Sequence, residues 1–116
     1  MKKWKILDLV GEDCITIEDG EKVYDLIHPE LKVCRPVELD FAGVEVFAAP
    51  FFDAAIGRLL ENLAPENLNR LLKVSNLVPE EVEALKLVIE DSARYYRDPI
   101  FRQALDAVIM EQAEER

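Results

Sequence analysis

Between residues 37 and 63 the hydrophobic pattern changes period, and few chain architectures accommodate that change. Val37, Leu39 and Phe41 alternate with Glu38 and Asp40, the period of a strand with one wet face. Gly43 turns the chain, Val44 to Phe47 reads as extended, and Pro50 suits the first position of a helix. From there Phe52, Ile56, Leu59, Leu60 and Leu63 recur at helical spacing, a stripe that has to face a core. At roughly 1.5–3 kcal/mol per large apolar side chain buried, this stripe outweighs any surface ion pair on the same helix. A strand feeding a one-sided helix predicts layered α/β structure.

The flanking segments extend this pattern. Trp4 to Val10 reads as a β-type run closed by Gly11-Glu12-Asp13, and Cys14 to Ile17 as a short β-branched strand with Ile15 and Ile17 on one face. Asp19 reads as the N-cap of a helix in which Val23, Leu26 and Ile27 keep helical spacing until Pro29 stops it. Asn69 to Val74 predicts a strand with Leu72 and Val74 inward, and Lys73 and the following Ser75 outward. Pro79 opens a long helix whose Glu80 and Glu81 complement its N-terminal dipole and whose inner stripe is Val82, Leu85, Ile89, Ser92 and Tyr96. Asp98-Pro99 starts a last helix carrying Phe101, Leu105, Val108 and Ile109. The expected order is β-β-α-β-α-β-α-α. Strands separated by helices imply parallel neighbours, while the opening pair is expected to be antiparallel. The fold class is therefore α/β, a mixed sheet of about four strands with helices mainly on one face. Residues 1–97 form the domain and 98–116 a C-terminal amphipathic helix.

The chain has 116 residues, enough for one domain. Fourteen Lys and Arg against 24 Asp and Glu leave a net charge of -10, which repels nucleic acid and anionic membranes alike. No apolar run approaches the roughly 18–20 residues needed to cross a bilayer. Lys5 and Asp8 interrupt what a signal peptide would need as a continuous apolar core. A cytoplasmic location is expected. Cys14 and Cys34 form no C-x-x-C motif and read as reduced thiols. A disulfide stays open if the fold brings their Cα atoms within about 7 Å.

The stock of catalytic side chains is thin. His28 is the single histidine, and Thr16, Ser75 and Ser92 are the only hydroxyl residues besides tyrosine. His28 precedes Pro29 and so is expected where a helix ends, in a loop or capping role. No glycine-rich phosphate loop or paired-histidine metal motif occurs. Acidic pairs such as Glu12-Asp13, Glu80-Glu81 and Glu90-Asp91 read as solvated faces. The expectation is a protein without enzymatic activity, cofactor or metal.

The stretch Val37-Glu38-Leu39-Asp40-Phe41-Ala42-Gly43-Val44, followed by Phe47 to Leu60, resembles the STAS-like domains, relatives of the sulphate-transporter and anti-sigma-factor-antagonist fold. The resemblance rests on three parts: the strand with Gly43-Val44 after it, the short extended lead-in, and the helix bearing Phe51-Phe52-Asp53-Ala54-Ala55-Ile56-Gly57. It covers residues 12 to 90 and implies a single STAS-like domain. In the antagonists a serine at the start of this helix is phosphorylated by a partner kinase, which then releases its hold. Here the helix start reads Ala48-Ala49-Pro50, which offers no hydroxyl.

The resemblance implies a regulatory protein–protein module whose partner is a histidine-kinase-like ATPase of the anti-sigma type, in a constitutive complex. The expected partner-binding residues are Phe47, Ala49, Pro50, Phe51, Asp53 and Gly57. Phe51 points about 100° away from Phe52 around the helix, either packing under the preceding loop or standing out as an aromatic anchor. Gly57 in mid-helix costs about 1 kcal/mol against Ala and suggests a close backbone approach. Pro50 and Asp53 disfavour a phosphate ligand at this helix start. The alternative function is a structural homo-oligomer, a homodimer built by the last helix.

Overall fold

The 37–41 alternation becomes the central strand of a parallel sheet. A computed structural model describes residues 1–97. The chain runs β1 (Lys2–Lys5), α1 (Ile6–Val10), β2 (Asp13–Cys14), α2 (Ile17–Lys32), β3 (Val37–Asp40) and β4 (Val46–Phe47). It continues through α3 (Ala49–Ala55), a 3-10 segment (Gly57–Glu61), α4 (Pro65–Leu71), β5 (Leu72–Ser75) and α5 (Pro79–Arg97). The last helix expected over 98–116, with Phe101, Leu105, Val108 and Ile109, lies outside the described residues.

The sheet has the order β1-β3-β5, and a separate two-stranded ladder joins β2 to β4. Every pairing is parallel, so the antiparallel opening pair does not form. The reason lies in Ile6 to Val10. Read as a strand, this segment would carry β1 straight into a hairpin. Instead Ile6 is buried and Leu9 and Val10 are half-buried, at helical spacing. Gly11, at φ 88°, closes the turn by donating its N–H to the Leu7 carbonyl at 3.0 Å. The short helix redirects the chain, and both ladders then need helical crossovers.

Three further boundaries differ from the sequence reading. Thr16, not Asp19, caps α2: its Oγ1 accepts the Asp19 N–H at 3.1 Å. The Cys14–Ile17 strand is thereby cut to its first residue and joined to Asp13. Pro29 does not end α2. It lies in the last turns, where one missing N–H costs a single intrahelical bond, and Val23, Ile27 and Leu31 continue as a buried stripe across it. Pro65 opens α4 over residues expected as strand, because Leu68 and Leu71 are buried at helical spacing. The strand β5 begins only at Leu72.

The register aligns Lys3, Glu38 and Lys73 in one row and Lys5, Asp40 and Ser75 in another. Alternation puts these rows on one face and Trp4, Leu39 and Val74 on the other. The apolar face joins the core with Val23, Ile27 and Leu31 of α2, the expected one-sided arrangement. Phe41, Phe47 and Phe52 fill the far end of that core, Phe47 stacking on Phe52 at 5.8 Å between ring centroids. The charged face is self-paired. Ser75 Oγ donates to Glu38 Oε2 at 2.9 Å, Lys3 lies 3.6 Å from Glu38 and 3.7 Å from Asp40, and Lys73 lies 3.9 Å from Glu38.

Candidate partner-binding site

The start of α3 is held at the end of the molecule by two helices. α2 crosses α3 so closely that a Cβ on Gly20 would lie 2.7 Å from both the Ala54 Cβ and the Phe51 carbonyl oxygen. On the other side α5 packs on the 3-10 segment and α3. A Cβ on Gly57 would meet Ser92 Oγ at 2.6 Å. The close approach expected at Gly57 is therefore made by α5 of the same chain.

These two crossings divide the six expected partner residues. Ala49, Pro50 and Asp53 are exposed, and Phe47 is half-buried. Phe51 is fully buried, and Gly57 is buried. Phe51 is thus not an exposed anchor: it lies in the core beneath the α2 crossing and meets Phe52 edge-on at 5.8 Å. The helical stripe is also interrupted. α3 ends at Ala55 and the chain tightens to 3-10 geometry, yet Phe52, Ile56, Leu59 and Leu60 all remain buried.

Pro50 and Asp53 border a depression of about 380 Å³ shared with Ile17, Ala54 and Arg58. Asp53 also lines a cleft of about 390 Å³ between α3 and α5, facing Asp91 and Ser92. Loss of water in this cleft, followed by the charge of Asp91, raises the Asp53 carboxyl above its ordinary value. Arg58 lies over the Tyr24 ring at 4.5 Å. Tyr24 in turn stacks on His28 at 4.8 Å, so His28 is a packed residue inside α2 rather than a loop or cap. The backbone at the helix start offers little to an anion: Ala48, at the N-cap, makes no side-chain cap bond, and Pro50 has no N–H.

Sequence reasoning missed three residues at this end. Ile15, Ile17 and Val46 are exposed, although the first two were expected to share a strand face. The signal was present in Thr16-x-x-Asp19, a helix-start pattern that moves Ile17 out of the strand.

Two other titratable groups, Asp40 and Cys14, are buried in the fold. Asp40 Oδ1 accepts Asn76 Nδ2 at 2.8 Å and the Ala42 N–H at 2.9 Å. The Asn76 bond first, then the Ala42 N–H and the nearby Lys3 and Lys5, hold its carboxyl below the ordinary value despite some desolvation. Cys14 is buried and free, and burial with Asp19 and Asp13 pushes its thiol up to about 12, which leaves it unreactive. Cys34 is free and exposed, so the two do not form a disulfide. Among the described residues no three His, Cys, Asp or Glu side chains are grouped to hold a metal, and no helix is long and apolar enough to cross a membrane.

A family model described as a STAS-like domain of unknown function matches residues 19–81, from the first turn of α2 into α5. No curated protein matches the chain. No solved structure matches it either. With the matched segment spanning more than half of the 116 residues and containing β3, α3 and β5 in order, the chain belongs to the family of STAS-like domains of unknown function.

Proposed function

We propose that this domain is a non-enzymatic regulatory module that binds a protein partner through the start of α3 and the loop before it. The partner suggested by the likeness to anti-sigma-factor antagonists is a histidine-kinase-like ATPase. The observation that carries the reading is the exposed α3 start: Ala49, Pro50 and Asp53 reach solvent beside an apolar depression, while the rest of the helix is locked in the core. Ala48, Ala49 and Pro50 carry no hydroxyl, so the contact is constitutive rather than released by a phosphate.

The test is calorimetric titration of the full chain against the histidine-kinase-like ATPases of its host, with wild type and Pro50→Lys compared. One ATPase is expected to bind wild type, and the variant to bind it at least about tenfold more weakly, a difference of about 1.4 kcal/mol. Absence of binding to every such ATPase would overturn the choice of partner.

A further inference from the structure

Resting on the reading of the α3 start as a partner site, we infer that the docking surface continues across the outer face of the β2–β4 ladder, centred on Ile15, Ile17 and Val46, and takes a protein whose contact face sets an apolar centre inside a rim of lysines or arginines.

The ladder fixes which side chains point out. Cys14 pairs with Phe47 and Asp13 with Val46, and the Ala48 N–H continues the ladder to the Cys14 carbonyl at 2.9 Å. Cys14 is buried and Phe47 stacks on Phe52, so these two face inward. By alternation Asp13, Ile15 and Val46 face outward. Ile17 follows as the first residue of α2 and reaches the depression that contains Pro50. Ile15, Ile17 and Val46 are 41%, 53% and 44% exposed. Singly, exposed aliphatic residues are ordinary. Two on the outer side of one ladder and a third at the adjoining first residue of α2, lining the Pro50 depression, gather exposed apolar surface of the kind found at interaction sites.

The border of this patch selects its occupant. Glu12, Asp13, Glu18 and Glu45, next to these residues in the chain, are all exposed, and among the described residues Arg58 is the one cation lining the Pro50 depression. The backbone brings Glu12 and Glu45 together: the Glu45 N–H donates to the Glu12 carbonyl at 2.9 Å. A second copy of the chain would present the same carboxylates to these, and like charges facing each other across an interface are strongly disfavoured. A partner with a cationic rim gains on both counts: its apolar centre covers the three aliphatic side chains while its charges meet the carboxylates. Such a pair also associates faster at low ionic strength.

The experiment places a photo-crosslinking benzoylphenylalanine at Ile17 or at Val46 of the full chain, expressed in its host, and maps the crosslinked peptides by mass spectrometry. The expected result is an adduct with another protein, at a segment flanked by lysine or arginine. Its yield in lysate should fall severalfold between about 0.1 M and about 1 M salt, as the screening length shrinks from about 10 Å to about 3 Å. Glu12→Lys combined with Glu45→Lys should remove it without lowering the melting temperature. No adduct, a crosslink to a second copy or within the chain, or a yield indifferent to salt and to the double variant would each overturn the inference. The two readings fail separately. A salt-sensitive adduct with a protein that is not a histidine-kinase-like ATPase keeps this surface and removes that partner. An ATPase that binds in calorimetry while both crosslinkers stay silent does the reverse.

Discussion

Pro50 and Phe51 are adjacent in the chain, yet α2 passes over one and leaves the other in water. Phe51 is fully buried beneath the crossing at Gly20. Truncating a core Phe costs about 3–5 kcal/mol, and a buried carboxylate adds to that, against a total stability of about 5–15 kcal/mol for a domain. Phe51→Asp should therefore abolish the cooperative melt in calorimetry rather than leave a folded, non-binding protein. The two packed glycines should also respond differently. At Gly20 an added Cβ meets backbone and a helix-bound Cβ, which cannot yield, whereas at Gly57 it meets the movable Ser92 hydroxyl. Gly20→Ala should cost about 1–3 kcal/mol by overpacking, and Gly57→Ala less, as read from urea midpoints. Nothing in the sequence foretold which side of α3 would be crossed. The stripe from Phe52 to Leu63 was legible because it obeys one period, while the burial of Phe51 depends on a second helix. The Asp40–Asn76 bond supplies a pH test. A carboxyl held below its ordinary value stabilises the fold above the unfolded value, and that contribution is lost as pH falls through the folded one. Asn76→Ala should move the Asp40 titration upward in a carboxyl NMR experiment and shift acid unfolding to higher pH.

At the scale of elements, most helices and strands were readable where periodicity was sustained and misread where a local signal competed with burial. α5 begins at Pro79 as its proline and acidic first turn imply, and β3 follows its alternation. At α2 the proline rule gave the wrong end. The hydrogen bond lost at Pro29 is outweighed by Leu31, which extends the buried stripe one turn further. Leu31→Ala should accordingly destabilise the protein by about 2–5 kcal/mol in denaturant unfolding. A helix ending at His28 would make the same change nearly neutral. α1 and α4 escaped the sequence reading because each is a short helix that abuts a strand, and a window of a few apolar residues does not distinguish the two periods.

The whole molecule divides its tasks between surfaces. The charged sheet face satisfies itself through Lys3, Glu38, Lys73 and Ser75, and the helical layer encloses the core against the opposite face. At the end where β2, β4 and the starts of α2 and α3 meet, Ile15, Ile17 and Val46 stay exposed. The α/β class and the one-sided layering followed from the sequence, since they depend on alternation and stripe alone. The parallel pairing of β1 with β3 and of β2 with β4 did not, because it depends on where α1 turns the chain. The likeness to the antagonists singled out the start of α3 but could not separate the side chains that reach solvent there, Ala49, Pro50 and Asp53, from Phe51 and Gly57, which are buried in the fold. Melting Pro50→Lys and Phe51→Asp beside wild type, and titrating each with an ATPase that binds wild type, tests that separation. Pro50→Lys is expected to melt close to wild type, losing no more than about 1 kcal/mol to the helix dipole, and to bind at least about tenfold more weakly, while Phe51→Asp does not fold. A Pro50→Lys protein that binds as tightly as wild type, or a folded Phe51→Asp protein that merely loses binding, would contradict that separation.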